Sequence, residues 1–196
     1  MKIEPVTLEG TEVRLEPLTE AHHAALSAVG LDPELWQVIP HRVTTPEEMR
    51  AYIVKALHEE TVGKSLPFAT VDRASGQVIG ATRFMNIETA HRRVEIGSTW
   101  IAKPWQRTAI NTEAKYLMLR HAFEVLWCVR VELKTDALNT RSRNAILRIG
   151  AREEGTLRRH VVTWSGRFRD TVYFSILDSE WPQVKADLEL KIKRAV

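Results

Sequence analysis

Apolar and polar positions alternate from Glu12 to Leu18, with Val13 and Leu15 on one side and Glu12 and Arg14 on the other, which predicts a first strand. Thr19 followed by Glu20 opens a helix over His22–Val29. Pro33 and Pro40 break the stretch from Leu31 to Pro40 into loop or short helix. Thr45-Pro46-Glu47-Glu48 combines a cap, a first-turn proline and carboxylates, so a helix runs from there to about His58. Leu66–Val71 and Gln77–Met85 read as strands joined by Ser75-Gly76, and Arg93–Ile101 as a third. Period two places Val94, Ile96, Ser98 and Trp100 on one face of that strand, and Glu95, Gly97, Thr99 and Ile101 on the other.

Period two then gives way to helical spacing. Ala114, Leu117, Met118, Ala122, Val125 and Leu126 form one apolar stripe, predicting a helix over Ile110–Leu126. Val129, Val131 and Leu133 alternate with charged residues as a strand, and Arg141–Ile149 is a helix ended by Gly150. Strands near Thr156–Trp164 and Arg169–Leu177 flank a turn at Ser165-Gly166, and a last helix starts near Ser179 with Pro182 in its first turns. Short turns between strands make the sheet largely antiparallel, within an α/β (α+β) chain.

Composition narrows the function. The 196 residues, 44% apolar and 27% charged, suit one compact domain with a full core. A formal charge of +3 is too small to argue for nucleic acid but is compatible with an anionic small ligand. Arg141, Arg143, Arg148, Arg152, Arg158 and Arg159 are interleaved with Glu153 and Glu154 and lack an accompanying aromatic pattern, so nucleic acid is not expected as a partner. The single cysteine, Cys128, sits in an apolar run and reads as core in a reducing compartment. No apolar segment approaches the roughly 20 residues that cross a bilayer, so the expected location is cytoplasmic, with no membrane partner. No zinc-protease, serine-hydrolase or P-loop motif occurs, and no metal is expected.

The junction from Trp100 to Glu113 carries the most chemistry. A strand ends at Ile101, Pro104 stops it, and a polar loop enters a long helix. The first N–H groups of a helix have no partners inside it, and with the helix dipole they attract anions. Gln106, Arg107, Thr108, Asn111 and Thr112 surround that entrance with donors. The same residues could instead cap a helix that binds nothing.

The segment Ile101-Ala102-Lys103-Pro104-Trp105-Gln106-Arg107-Thr108-Ala109-Ile110-Asn111-Thr112-Glu113-Ala114 resembles the acetyl-CoA segment of the GNAT N-acetyltransferases, with flanks similar to the RimJ/RimL branch. Glu95-Ile96-Gly97 with Trp100-Ile101, Asn139-Thr140-Arg141-Ser142, the turn at Leu147–Gly155 and Arg169–Trp181 resemble further elements of that family in the same order. The resemblance implies a single N-acetyltransferase domain over residues 1–196, with a mixed, mostly antiparallel central sheet flanked by helices. It implies acetyl-CoA as cosubstrate, held by Trp100, Ile101, Gln106, Arg107, Thr108, Ala109, Ile110, Asn111, Thr112, Asn139 and Ser142. Ala109 and Asn111 stand where the family loop usually has glycine or a small residue. Ala109 still allows close backbone approach, and Asn111 tolerates unusual dihedrals.

By the same resemblance the acceptor amine attacks the thioester directly. Glu95 is the candidate base, or else a strand carboxylate paired with Arg92 or Arg93. Ser142 is the candidate acid for the leaving thiolate, or else a helix cap. Acceptor residues would come from about Leu31 to Arg42 and Val161 to Asp170, including Trp36 and Trp164. Deprotonation at pH 7 costs roughly 1 kcal/mol for an α-amine and about 4.6 kcal/mol for lysine, which favours a protein N-terminus or a small-molecule amine. The alternative is a non-catalytic acyl-CoA sensor. A homodimer is left open.

Overall fold

The computed structural model describes residues 1–194, so Ala195 and Val196 of the expected 1–196 domain lie outside the described residues. Eight strands form one sheet in the order β1-β2-β3-β4-β5-β6-β8-β7. They are β1 (Leu8–Glu9), β2 (Val13–Pro17), β3 (Ser65–Asp72), β4 (Val78–Glu88), β5 (Arg93–Ile101), β6 (Arg130–Asp136), β7 (Arg152–Val162) and β8 (Phe168–Leu177). Every neighbouring pair is antiparallel except β5 and β6. The short β1 was not expected, and β7 starts four residues before the predicted Thr156 because the exposed, polar Arg152–Gly155 stretch has no alternation to reveal it.

Among the described residues five α-helices cover the sheet: α1 (His23–Gly30), α2 (Pro46–Thr61), α3 (Ile110–Arg120), α4 (Thr140–Arg148) and α5 (Trp181–Lys193). The α2 cap is as expected: Thr45 accepts from the Glu48 N–H at 3.2 Å and Glu48 accepts from the Thr45 N–H at 3.2 Å. The predicted Ile110–Leu126 helix is α-helical to Arg120 and continues as a π turn over His121–Val125. Two apolar cores lie on opposite faces of the sheet. Leu117, Met118, Trp181 and Leu188 of α3 and α5 pack against Val94, Ile96, Val131 and Phe174 on one face. Leu26, Met49 and Ile53 of α1 and α2 pack against Ala69, Ala81 and Trp100 on the other.

The two-faced pattern expected for β5 fails halfway. The pairing with β4 runs Phe84↔Ile96 and Arg83↔Gly97, then Ala81↔Trp100, so three β5 steps oppose two β4 steps. Ser98, at φ 47°, sits in this bulge. Beyond it the faces exchange. Ile101 joins Val94 and Ile96 in the α3 core, while Trp100 turns to the α1/α2 core. Thr99 therefore lies on the α3 side rather than beside Glu95, and its Oγ1 accepts from Lys115 Nζ at 2.7 Å.

Two buried charges fix α3 to the sheet. The Glu113 carboxylate accepts from the backbone N–H of Thr11 (2.7 Å), Glu12 (2.7 Å) and Val13 (2.9 Å), holding the β1–β2 turn. A Cβ at Gly10 would lie 2.4 Å from this carboxyl, so a larger residue would displace it from its three donors. Glu113→Ala leaves three donors without an acceptor and should cost about 2–4 kcal/mol by urea unfolding; an unchanged midpoint would show that the turn is held otherwise.

Lys115 is buried, and among the described residues its Nζ bonds only to Thr99 Oγ1 at 2.7 Å and Thr82 Oγ1 at 3.3 Å. Burial lowers its pKa to about 7. Between that value and the unfolded lysine value of about 10.4, the unfolded chain binds a proton that the folded chain does not. Lys115 therefore makes stability rise with pH, by about 1.4 kcal/mol per unit within this window. The difference in unfolding free energy between wild type and Lys115→Met, followed from pH 7 to 9, should shift by that slope in favour of wild type. A difference that stays flat would place the amine in a wetter setting.

Candidate active site

The pairing of β5 with β6 is short. It comprises Arg93↔Arg130, Val94↔Val131 and Glu95↔Glu132, and then stops. β5 continues to Ile101 paired only with β4, and β6 continues to Asp136 paired only with β8. The sheet therefore opens into a wedge with its vertex at Glu95 and Glu132. The Ala102 N–H bonds to Ile79 O at 2.8 Å, on the β4 side. By alternation the polar groups of Ile101 point away from β4, into the wedge. Its carbonyl accepts from Gln106 Nε2 at 2.6 Å, and its N–H points to the same side of the strand.

The mouth of the wedge is tied across. Gln106 Oε1 accepts from Arg141 at 2.6 Å, so one glutamine joins the end of β5 to the start of α4. Both ends of its amide are engaged within the protein. Next to it α3 begins at Ala109, which has no side-chain cap. Thr108 Oγ1 donates to Trp105 O at 2.8 Å and accepts weakly from the Ile110 N–H at 3.4 Å. Among the described residues, no acceptor is found for the N–H groups of Arg107, Ala109, Asn111 and Thr112. Arg107 is exposed at φ 66°, and Asn111 carries a buried Oδ1 without a partner. Together these form an uncapped, electropositive helix entrance.

On the β6 side, Asn139 caps α4 by accepting from the Ser142 N–H at 3.0 Å. The capping function expected of either residue thus falls to Asn139. The half-buried Ser142 hydroxyl bonds to none of the described residues. Trp100, by contrast, is closed off: its indole is 4% exposed and packs at 5.5 Å on Trp36. Only its backbone can serve a ligand.

The vertex is polar on the α1/α2 side. Glu95 Oε2 accepts from Lys134 Nζ and from Asn86 Nδ2, both at 2.7 Å. The partner is thus Lys134 rather than the anticipated Arg92 or Arg93, which needed β6 to be placed. Burial opposes the Lys134 charge, but the Glu95 carboxylate outweighs it and raises the lysine pKa. Lys134 also lies 4.4 Å from the Tyr173 ring centre. A Cβ at Gly97 would sit 3.2 Å from Glu95 Oε1. The glycine therefore leaves space beside that second oxygen, which bonds to none of the described residues though Glu95 is 6% exposed.

Beside the vertex, Tyr52 donates to Ser98 O at 3.4 Å and stacks near His41, whose ring centre is 5.6 Å away. Burial, with the charges of Arg83 and Lys55, lowers the His41 pKa to about 4, so this ring is neutral near pH 7. The two segments anticipated for the acceptor meet above it. Trp164 Nε1 donates to Trp36 O at 3.2 Å, and the Trp164 N–H to Pro40 O at 3.0 Å.

The predicted residues thus cluster around one opening, from the helix entrance to Glu95. Tyr52, Arg83, Asn86 and Lys134 were not anticipated, and His41 was covered only by the expected acceptor segment Leu31 to Arg42. Lys134 was legible only as a polar strand position, and the others lie on elements whose contact with β5 is set by tertiary packing. Cys128 is buried as expected, and its thiol pKa is pushed up by burial to about 11, so it is unreactive. Arg158, Arg159 and His160 lie on the exposed strand β7, with the His160 ring centre 5.8 Å from that of Tyr173. No group of three or more metal-ligating residues is present among the described residues, and no helix there is long and apolar enough to cross a membrane.

The comparisons with known proteins agree with this geometry. Residues 12–152 match the family described as Acetyltransferase (GNAT) domain. A Bacillus subtilis (strain 168) relative named as the ribosomal N-acetyltransferase YdaF is 36% identical over 54% of this chain, and the match spans 57% of that relative's length. The structure of a GCN5-related N-acetyltransferase from Brucella melitensis superposes with a TM-score of 0.90 at 36% identity, covering 98% of this chain and 87% of that one. Mycobacterium smegmatis RimJ, solved in complex with CoA-disulfide, superposes with a TM-score of 0.82 at 25% identity over 95% of both chains. The chain belongs to the GNAT acetyltransferase family, with relatives in its RimJ/RimL-like branch.

Proposed function

We propose that residues 1–196 form one N-acetyltransferase domain that moves the acetyl group of acetyl-CoA to a primary amine, on a protein N-terminus or a small molecule. The observation that carries this reading is the wedge itself. It has uncapped N–H donors at its mouth and an unbonded carboxylate oxygen at its vertex. The pyrophosphate of acetyl-CoA would rest on the N–H groups from Arg107 to Thr112, with Arg107 adding charge. The backbone of Ile101 lines the path of the pantetheine, and a β5 N–H would stabilise the thioester oxygen as it gains charge.

The free amine enters from the α1/α2 side. Glu95 Oε1 takes its proton, directly or through water, while Lys134 and Asn86 hold the other oxygen. The nitrogen attacks the thioester carbon, the carbon–sulfur bond breaks, and Ser142 passes a proton to the thiolate while regaining one from solvent. Neutral His41 and Tyr52 border the entry without adding a positive charge that would repel an ammonium. The buried free cysteine and the bacterial relatives support a cytoplasmic, bacterial setting. No observation favours the sensor alternative.

Thiol release from acetyl-CoA with a panel of amines tests the reading. Ser142→Ala should lower kcat about 100-fold with the KM for acetyl-CoA near wild type, because Asn139 still caps α4. Glu95→Gln should lower kcat/KM for the amine by a similar factor while acetyl-CoA still binds. Acetyl-CoA binding without release for every amine would favour the sensor instead.

A further inference from the structure

The buried and half-buried cations on the acceptor side of the wedge can be matched to carboxylates, with one remainder among the described residues. Arg83 pairs with Glu59 at 2.7 Å, Lys134 pairs with Glu95 at 2.7 Å, and Arg167 pairs with Asp136. Arg169, on β8, is left over. It is 7% exposed, yet it makes no ion pair or side-chain hydrogen bond with any described residue, and its Nε is fully buried without a partner. Two residues further along the strand, Thr171 is 1% exposed, and its Oγ1 is also buried without a partner.

Strand alternation puts Arg169, Thr171 and Tyr173 on one face, and Tyr173 is the ring beneath Lys134. Thr171 stands opposite Asp136 in the β6–β8 register. Asp136 makes no bond to Arg169, because its carboxylate is engaged by Arg167 and by the Leu138 N–H at 3.0 Å. Two adjacent donors thus lack an acceptor, and one buried cation lacks a paired anion. A water molecule could satisfy the hydroxyl but would leave the guanidinium charge unpaired. Burial is also the largest influence on the Arg169 pKa and lowers it, outweighing the carboxylates of Asp136 and Glu95, which act only at a distance.

We propose that Arg169 and Thr171 form an anion subsite that selects acceptor amines carrying a carboxylate. This rests on the wedge being the transfer site, as argued above. Arg169 lies four residues along β8 from Tyr173, about 13 Å of strand, so the carboxylate is separated from the reacting amine by several bonds. It belongs either to a small amino acid with a spaced carboxylate or to an acidic side chain near a peptide N-terminus. A guanidinium and a hydroxyl side by side suit both, through charge-assisted hydrogen bonds.

Thiol release is measured for two matched acceptor pairs: 6-aminohexanoate against 6-aminohexanamide, and Ala-Ala-Asp-amide against Ala-Ala-Asn-amide. Wild type should use the carboxylate member of one pair with kcat/KM about tenfold or more above its neutral partner, and the pair that responds identifies the source. Arg169→Met should erase that preference while leaving the neutral member within about threefold, and Thr171→Val should reduce it in the same direction. Equal use of both members in both pairs by wild type, or a preference that survives in a folded Arg169→Met protein, overturns the subsite. If no amine is acetylated, calorimetric titration of the same carboxylates into acetyl-CoA-loaded protein separates the two ideas. Binding that Arg169→Met abolishes keeps the subsite and removes the transfer reading; absence of binding removes the subsite.

Discussion

The molecule is organised by the early end of one strand pairing. Three register pairs hold β5 to β6, and past Glu95 and Glu132 the two strands part. Parallel strands need a long connection, and here that connection contains α3. The helix packs beneath β5 through Leu117 and Met118, and Glu113 fastens it to the β1–β2 turn. Its first turn is thereby held at the end of β5, where the strand has lost its β6 partner. Separation of the strands and placement of the helix entrance are two results of one topology.

The bulge at Ser98 refines that arrangement. By exchanging the faces of β5, it sends Trp100 into the α1/α2 core and brings Thr99 to Lys115. The vertex then has a different chemistry on each side. On the α3 side stands a buried amine among hydroxyls. On the α1/α2 side stands Glu95, with one oxygen anchored and one unbonded. Gln106 joins the two arms of the wedge by bonding Ile101 and Arg141. The residues proposed to meet cofactor and amine are held by contacts among secondary-structure elements rather than by one flexible loop.

Much of this was legible in the sequence where local physics decides. Thr45 with Glu48, Gly150 after α4 and the apolar stripe of α3 each announced an element through capping or periodicity. The helix entrance from Gln106 to Thr112 was legible as an anion site or a plain cap, and the resemblance to a known family tipped the balance toward the first. Strand faces past Ser98 were not legible, because a bulge inserts one residue without any change in the apolar pattern. The partner of Glu95 was not legible either, since Lys134 approaches it only when a strand 39 positions away becomes its parallel neighbour. The leftover charge of Arg169 appears only after the other three cations have found their carboxylates.

The most direct test of the account is a crystal structure of the protein soaked with acetyl-CoA. The account predicts density between β5 and β6, with the pyrophosphate on the N–H groups from Arg107 to Thr112 and the acetyl group beside the unbonded oxygen of Glu95. A cofactor bound elsewhere, or an empty wedge at saturating acetyl-CoA, would contradict it.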